Sequence, residues 1–285
     1  MKHRLKLIPA ALALALGATS ALAGDFKTLA TAPANNVLLV VGANNPNTDK
    51  LYIEALDIDL LSPQVPSSID YQAFVRTRGV NVPTGNGTLT LLDHRYTPDV
   101  VFSNDLDTAI GDLYDFVFRD SRDNKLVFGT RVLLGVTPDQ EDDSELNFLY
   151  RYGLTEGATT FSAAAAWLFT SDADLRMYTA GRTASKSLTG APLFDNDTVR
   201  FQSDINLSEG NPFSGLFLLK TDAPYYKIDD AAVGFFQAGE EGQPRVGNVY
   251  AGFAPSVVPE PSTYALMAAG LGLAAWSMRR RQPKA

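Results

Sequence analysis

Between residues 24 and 257 the chain reads as short apolar runs broken by frequent turn residues. Val37 to Val41 is apolar and ends in Gly42-Ala43-Asn44-Asn45-Pro46-Asn47, which predicts a strand running into a turn. Leu51 to Leu61 contains alternation through Tyr52, Glu54, Leu56, Ile58 and Leu60. Asn86-Gly87 ahead of Thr88-Leu89-Thr90-Leu91-Leu92 reads as a turn followed by a strand. The clearest hairpin joins Leu113–Arg119 to Lys125–Leu134 across a polar loop, Asp120 to Asn124, because both arms are rich in β-branched and aromatic residues. Thr137 to Ser144 is an acidic loop, and Leu146 to Tyr152 is a further strand. Ala158 to Phe169 is divided: four alanines (Ala163 to Ala166) favour helix, while Thr159-Thr160-Phe161 and Trp167-Leu168-Phe169 favour strand. Val199–Leu207, Phe213–Thr221, Ala232–Phe236 and Arg245–Phe253 complete the set of strands. Helical periodicity beyond about two turns is found only at the two ends.

This pattern predicts an all-β, mainly antiparallel fold: a β-sandwich or jelly-roll-like domain over residues 24–256, with one or two short helices at most. An N-terminal signal helix and a C-terminal transmembrane helix flank it. The acidic stretch near Pro138 to Asp143 marks a weak break that does not divide the domain.

The N-terminal end, residues 1–23, has the layout of an export signal. Lys2, Arg4 and Lys6 are positive, Leu7 to Ala18 is apolar, and Ala21-Leu22-Ala23 is a small-x-small cleavage site ahead of Gly24. At the other end, Ser262 to Met278 carries no charge and as a helix would rise about 25 Å, a little short of the ~30 Å hydrocarbon core. Its strong lipid formers are Leu266, Leu271 and Leu273, and most of the rest is Ala and Gly, so the anchor is weak. Small residues at Ala265/Ala269 and Gly270/Ala274 let another helix approach closely. Arg279, Arg280, Arg281 and Lys284 should stay cytoplasmic by the positive-inside rule, and the export signal directs the body to the opposite side. Pro259 and Pro261 stiffen the segment between body and anchor and present Glu260 on an extended strand.

Val258-Pro259-Glu260-Pro261-Ser262-Thr263-Tyr264-Ala265-Leu266, then Gly270-Leu271-Gly272-Leu273, then Arg279-Arg280-Arg281, resembles the PEP-CTERM sorting signal. The resemblance covers residues 257–285 and marks Val258, Pro259, Glu260, Pro261 and the three arginines as the sorting and processing residues. It implies a Gram-negative source with an exopolysaccharide locus. It also implies export by the Sec machinery and signal peptidase, a transient stay in the inner membrane, and cutting by an exosortase, a membrane-embedded cysteine transpeptidase-like enzyme. The expected destination is the cell surface or extracellular matrix, with exopolysaccharide as a partner and a part in biofilm or floc formation. The resemblance says nothing of residues 24 to 257.

Composition narrows the chemistry of that middle region. The chain has 0 Cys, which excludes thiol catalysis, disulfides and Cys-ligated metals. It has 2 His, one of them in the signal, so His94 alone is left; it permits a Ser-His-Asp arrangement only as the base, and no Gly-x-Ser-x-Gly elbow is present. Seven of the 24 Lys and Arg lie in the signal and at the end of the tail, which leaves 17 against all 32 Asp and Glu between Gly24 and Pro261, a net charge of −15. That charge disfavours nucleic acid as a partner. Calcium is the one cofactor with candidate ligands: Asp195-Asn196-Asp197, then Asn104-Asp105 with Asp107, and Asp120 with Asp123-Asn124. None has the spacing of an EF-hand, and Asp and Asn are ordinary turn residues. Tyr225-Tyr226, Tyr150, Tyr152 and Trp167 are the aromatics that could stack on sugar rings, or else form core. The expected function is therefore a non-enzymatic surface or matrix protein. The rival is a secreted carbohydrate-active hydrolase using paired Asp/Glu carboxylates.

Overall fold

The computed structural model describes residues 26–33, 39–40, 50–55, 67–77, 80–101, 109–134, 145–169, 177–186, 193–206, 216–237, 246–259 and 271. Its strands run in chain order as β1 (Lys27–Thr28), β2 (Leu39–Val40), β3 (Lys50–Ala55), β4 (Ser68–Thr77), β5 (Val80–Val101), β6 (Ala109–Asp120), β7 (Leu126–Leu134) and β8 (Glu145–Arg151). They continue as β9 (Thr155–Glu156), β10 (Thr159–Thr160), β11 (Ala163–Phe169), β12 (Met177–Arg182), β13 (Val199–Asn206), β14 (Leu216–Thr221), β15 (Tyr225–Gln237) and β16 (Val246–Ser256). The protein is mostly β, as the sequence predicts. The signal helix and nearly all of the transmembrane helix lie outside the described residues, among which no helix is long and apolar enough to cross a membrane.

An eight-stranded sheet has the order β1-β11-β14-β7-β6-β5-β4-β3, and a six-stranded sheet the order β16-β15-β8-β13-β12-β2. Among the described strands all pairings are antiparallel but one. β11 meets β3 in parallel, Leu168 opposite Ile53 and Phe169 opposite Glu54, so the two ends of the large sheet are brought together and it curls into a partial barrel. The expectation of a β-sandwich or jelly-roll-like domain is corrected to this extent: two sheets do pack face to face, but one of them is curled. The long β5 makes the curl possible, because its register shifts at Leu91/Asp93 and Thr97/Val100 are bulges that bend a strand.

The curl buries both faces of its central strands. On β6, Leu113 and Val117 point toward the small sheet and pack with Leu149, Phe201, Phe235 and Phe253. Tyr114, Phe116 and Phe118 point inside the curl, with Tyr71, Leu89, Leu216 and Leu218. Phe116 and Phe118 stack there with centroids 5.6 Å apart. Burial on two faces is why β7 and β14 are apolar almost without alternation. Fully burying one Phe side chain contributes roughly 1.5–3 kcal/mol, so this double core carries most of the fold's stability.

Two local expectations are decided by pairing. The alanine run becomes strand, since β11 is flanked by β14 on one edge and by β1 on the other; tertiary pairing overrides helix propensity. Asn86-Gly87 is not a turn but lies inside β5, opposite Gln72 and Tyr71 of β4. The glycine is there for room: a Cβ at Gly87 would stand 2.5 Å from the Tyr71 ring. The predicted hairpin between β6 and β7 is present, and Asn124 takes the left-handed conformation at its end (φ 58), which Asn tolerates.

Candidate functional site

β16 ends at Ser256, and the segment that follows is fastened to the body at once. The fastening comes from the β9–β10 hairpin, whose tight turn has Gly157 at φ 60, a left-handed position suited to glycine. Glu156 in this hairpin accepts the Val257 N–H on Oε2 at 2.6 Å. Its other oxygen, Oε1, accepts from Lys227 Nζ of β15 at 3.0 Å. The Ser256 hydroxyl lies 3.0 Å from Glu156 Oε2 and 2.9 Å from the Val258 carbonyl oxygen, so its one proton serves either acceptor. Ser256 Oγ also accepts the Val258 N–H at 3.0 Å. Burial opposes the charge on Glu156, but the Val257 N–H, Lys227 and Ser256 outweigh it and hold the carboxyl below its ordinary value.

The hairpin itself is anchored by one of the calcium candidates. Asp197 Oδ1 accepts from Thr155 N–H at 2.8 Å and Thr155 Oγ1 at 2.6 Å, and its backbone carbonyl accepts Leu154 N–H at 3.1 Å. Asp195 Oδ1 accepts the N–H groups of Asp197 and Thr198 at 2.7 and 3.0 Å, a local turn. The Asn196 carbonyl accepts from the buried Arg182 guanidinium. Asp195-Asn196-Asp197 is thus occupied in holding backbone. Asp120 accepts from Tyr71 Oη at 2.8 Å and pairs with Lys220 Nζ at 2.6 Å. Asp123 pairs with the same lysine at 3.2 Å. Asn104, Asp105 and Asp107 lie outside the described residues, and among those described no three His, Cys, Asp or Glu side chains stand close enough to hold a metal ion.

A second buried ion pair joins the two sheets. Asp115 of β6 accepts from the Arg151 guanidinium of β8, from Thr130 Oγ1 at 3.2 Å and from the Phe253 N–H of β16 at 2.7 Å. Arg151 also donates to the Phe253 carbonyl and to Thr130 Oγ1.

The sugar-stacking candidates separate by burial. Tyr150 is buried, donates to the Ser185 carbonyl, and stacks on the half-buried Tyr152 with centroids 5.9 Å apart. Tyr226 packs edge-on against Phe253, and the Trp167 side chain lies outside the described residues. Tyr225 is exposed. Sequence reading missed Tyr96 of β5, which is 49 % exposed beside Tyr114 (centroids 4.9 Å) and donates to Asp112 Oδ2 at 2.9 Å. An apolar-polar alternation marks β5 only weakly, and nothing local shows which of its rings reaches solvent. His94 sits exposed in the same strand, opposite Phe116.

Residues 257–281 match the PEP-CTERM protein-sorting motif. The chain is an exported protein that carries a PEP-CTERM sorting signal. The motif implies a membrane-anchored precursor that an exosortase processes. The match opens at Val257, the residue whose N–H Glu156 holds. Of the expected sorting residues, Val258 and Pro259 are described; Glu260, Pro261, Arg279, Arg280 and Arg281 lie within the match but outside the described residues. Ala21, Ala23 and Gly24 of the expected signal-cleavage site also lie outside the described residues. No curated protein and no solved structure matches the chain.

Proposed function

We propose that this is a non-enzymatic surface or matrix protein whose β body works by contact, with exopolysaccharide or with neighbouring cells, after its tail has been removed. One observation carries the reading: the sorting motif opens at Val257, immediately after the last strand residue, Ser256. The double core and every described strand precede the motif, so losing the tail costs the body none of them. The acidic body supports a soluble, outward-facing life, and two of the three carboxylates of β6 support a non-catalytic one, since Asp115 and Asp120 are both buried in ion pairs. The precursor then spans the inner membrane with Arg279, Arg280 and Arg281 cytoplasmic, and the mature form resides at the surface.

Intact-mass analysis of the chain recovered from the outer layers tests this. The expected species begins near Gly24 and lacks the arginine-rich end. Deleting residues 258–285 should release or mislocalise the body and weaken floc or biofilm formation. Surface display and biofilm unchanged by the deletion, or an intact chain ending at Ala285 at the surface, would refute the proposal.

A further inference from the structure

We propose that the β9–β10 hairpin is a latch over the first residues of the sorting motif, and that it must open before the tail is cut. The inference rests on the exosortase reading of the motif, but the latch is built from residues outside it: Glu156, Lys227 and Ser256. Val257 and Val258 lie in a bend rather than in extended backbone. Both of their N–H groups are already used, one by Glu156 Oε2 and one by Ser256 Oγ. A peptide seated as a strand in an enzyme cleft is held largely through main-chain hydrogen bonds from extended residues. Residues 257 and 258 offer neither the shape nor the free donors while the latch is closed. Their side chains, in contrast, face outward, 39 % and 49 % exposed. The closed form therefore displays the valines for recognition while withholding the backbone needed for cutting. Pro259 follows at once and, having no N–H of its own, cannot replace the missing donors.

Two features identify this as a holding device. The match to the sorting motif and the hydrogen bonds of the latch share the same residue, Val257. The hairpin that supplies Glu156 has a support independent of the tail, since Thr155 is fixed by Asp197. Removing Glu156 should thus free the Val257 N–H without unfolding the hairpin, and removing the Ser256 hydroxyl should free that of Val258.

The test uses the full-length precursor in membranes, as wild type, Glu156→Ala, Glu156→Gln and Ser256→Ala. Two rates are followed: loss of the tail in the native host, and nicking of the isolated precursor at residues 256–258 by a non-specific soluble protease. Both rates should rise roughly tenfold or more in Glu156→Ala, the factor for losing one charge-assisted hydrogen bond of about 1.5 kcal/mol or more. Glu156→Gln, which keeps an acceptor but no charge, should fall between it and the wild type. Ser256→Ala should also be faster, and Glu156→Ala combined with Ser256→Ala at least as fast as either single, since each residue holds a different N–H. An unchanged melting temperature of the body separates latch opening from unfolding. Nicking that does not change refutes the latch; nicking that accelerates while tail loss stays level or slows refutes its role as a brake. If the wild type keeps its tail in the host, the exosortase reading fails, and the nicking rates still decide whether the latch holds the segment.

Discussion

Substituting Asp115 by Ala leaves the Arg151 guanidinium buried in the core between the sheets without its counter-ion. Asp115 is 0 % and Arg151 2 % exposed, so water reaches neither. The substitution also strips the Phe253 N–H of its acceptor. Breaking a buried pair by removing one partner costs about 3–5 kcal/mol. The orphaned N–H falls within the same order, at about 1–3 kcal/mol, and the two do not add in full. Taking about 4 kcal/mol, and about 2–4 °C per kcal/mol for a domain of this size, the midpoint should fall by roughly 8–16 °C. Thermal and urea melts of the mature chain, followed by circular dichroism, measure it. The pair Asp115→Leu with Arg151→Met removes both charges, and because pairing two ions in a core gains little over apolar packing, the double variant should be more stable than Asp115→Ala. A midpoint within about 2 °C of wild type for Asp115→Ala, or a double variant whose loss equals the sum of the singles, would refute the argument.

Gly252→Ala should lower stability by about 1–3 kcal/mol through overpacking, since the new Cβ would stand 2.5 Å from Asp115 Oδ2 and 2.9 Å from Val233 Cγ2. In the Asp115→Ala background, melts should show that penalty shrink, because one of the two clashes is gone. Tyr96 is pushed up to about 12, first by its hydrogen bond to Asp112 and then by burial and nearby charge. Its folded value lies above the ordinary one, so what it adds to stability is complete below about pH 10 and fades as the pH rises through the folded value. Ultraviolet titration of Asp112→Asn should return one tyrosine to the ordinary range, and an unaltered titration curve would count against the bond.

Many of the strands were legible because they advertise themselves locally, whereas β4 and β12 were not read from the sequence. β6 and β7 are β-branched and aromatic on both sides of a polar loop, and β13, β14 and β16 stand close to where their apolar runs lie. The sorting motif was legible for a related reason: Pro259, Pro261 and the terminal arginines act through backbone stiffness and membrane charge, which depend on few long-range contacts. Asn86-Gly87 shows the limit. It has the chemistry of a turn, yet β4 pairs straight past it, and only the Tyr71 ring lying over Gly87 explains the residue. Asp195 and Asp197 show the same limit in function. Their spacing is compatible with a cation or with a turn; Asp195 closes a local turn, and Asp197 accepts from Thr155, 42 positions away, a contact that no local pattern shows.

By itself the sequence determined the class of structure, the acidic character of the body, and the address written in its tail. All three follow from local propensity, composition and short-range motif chemistry. The tertiary structure decided how the large sheet curls, which carboxylates are sealed in ion pairs, and that Glu156 grips the first residue of the sorting motif. These depend on which strands are neighbours. Strand pairing brings together residues as far apart as Glu156 and Val257 with a geometry that no local pattern encodes.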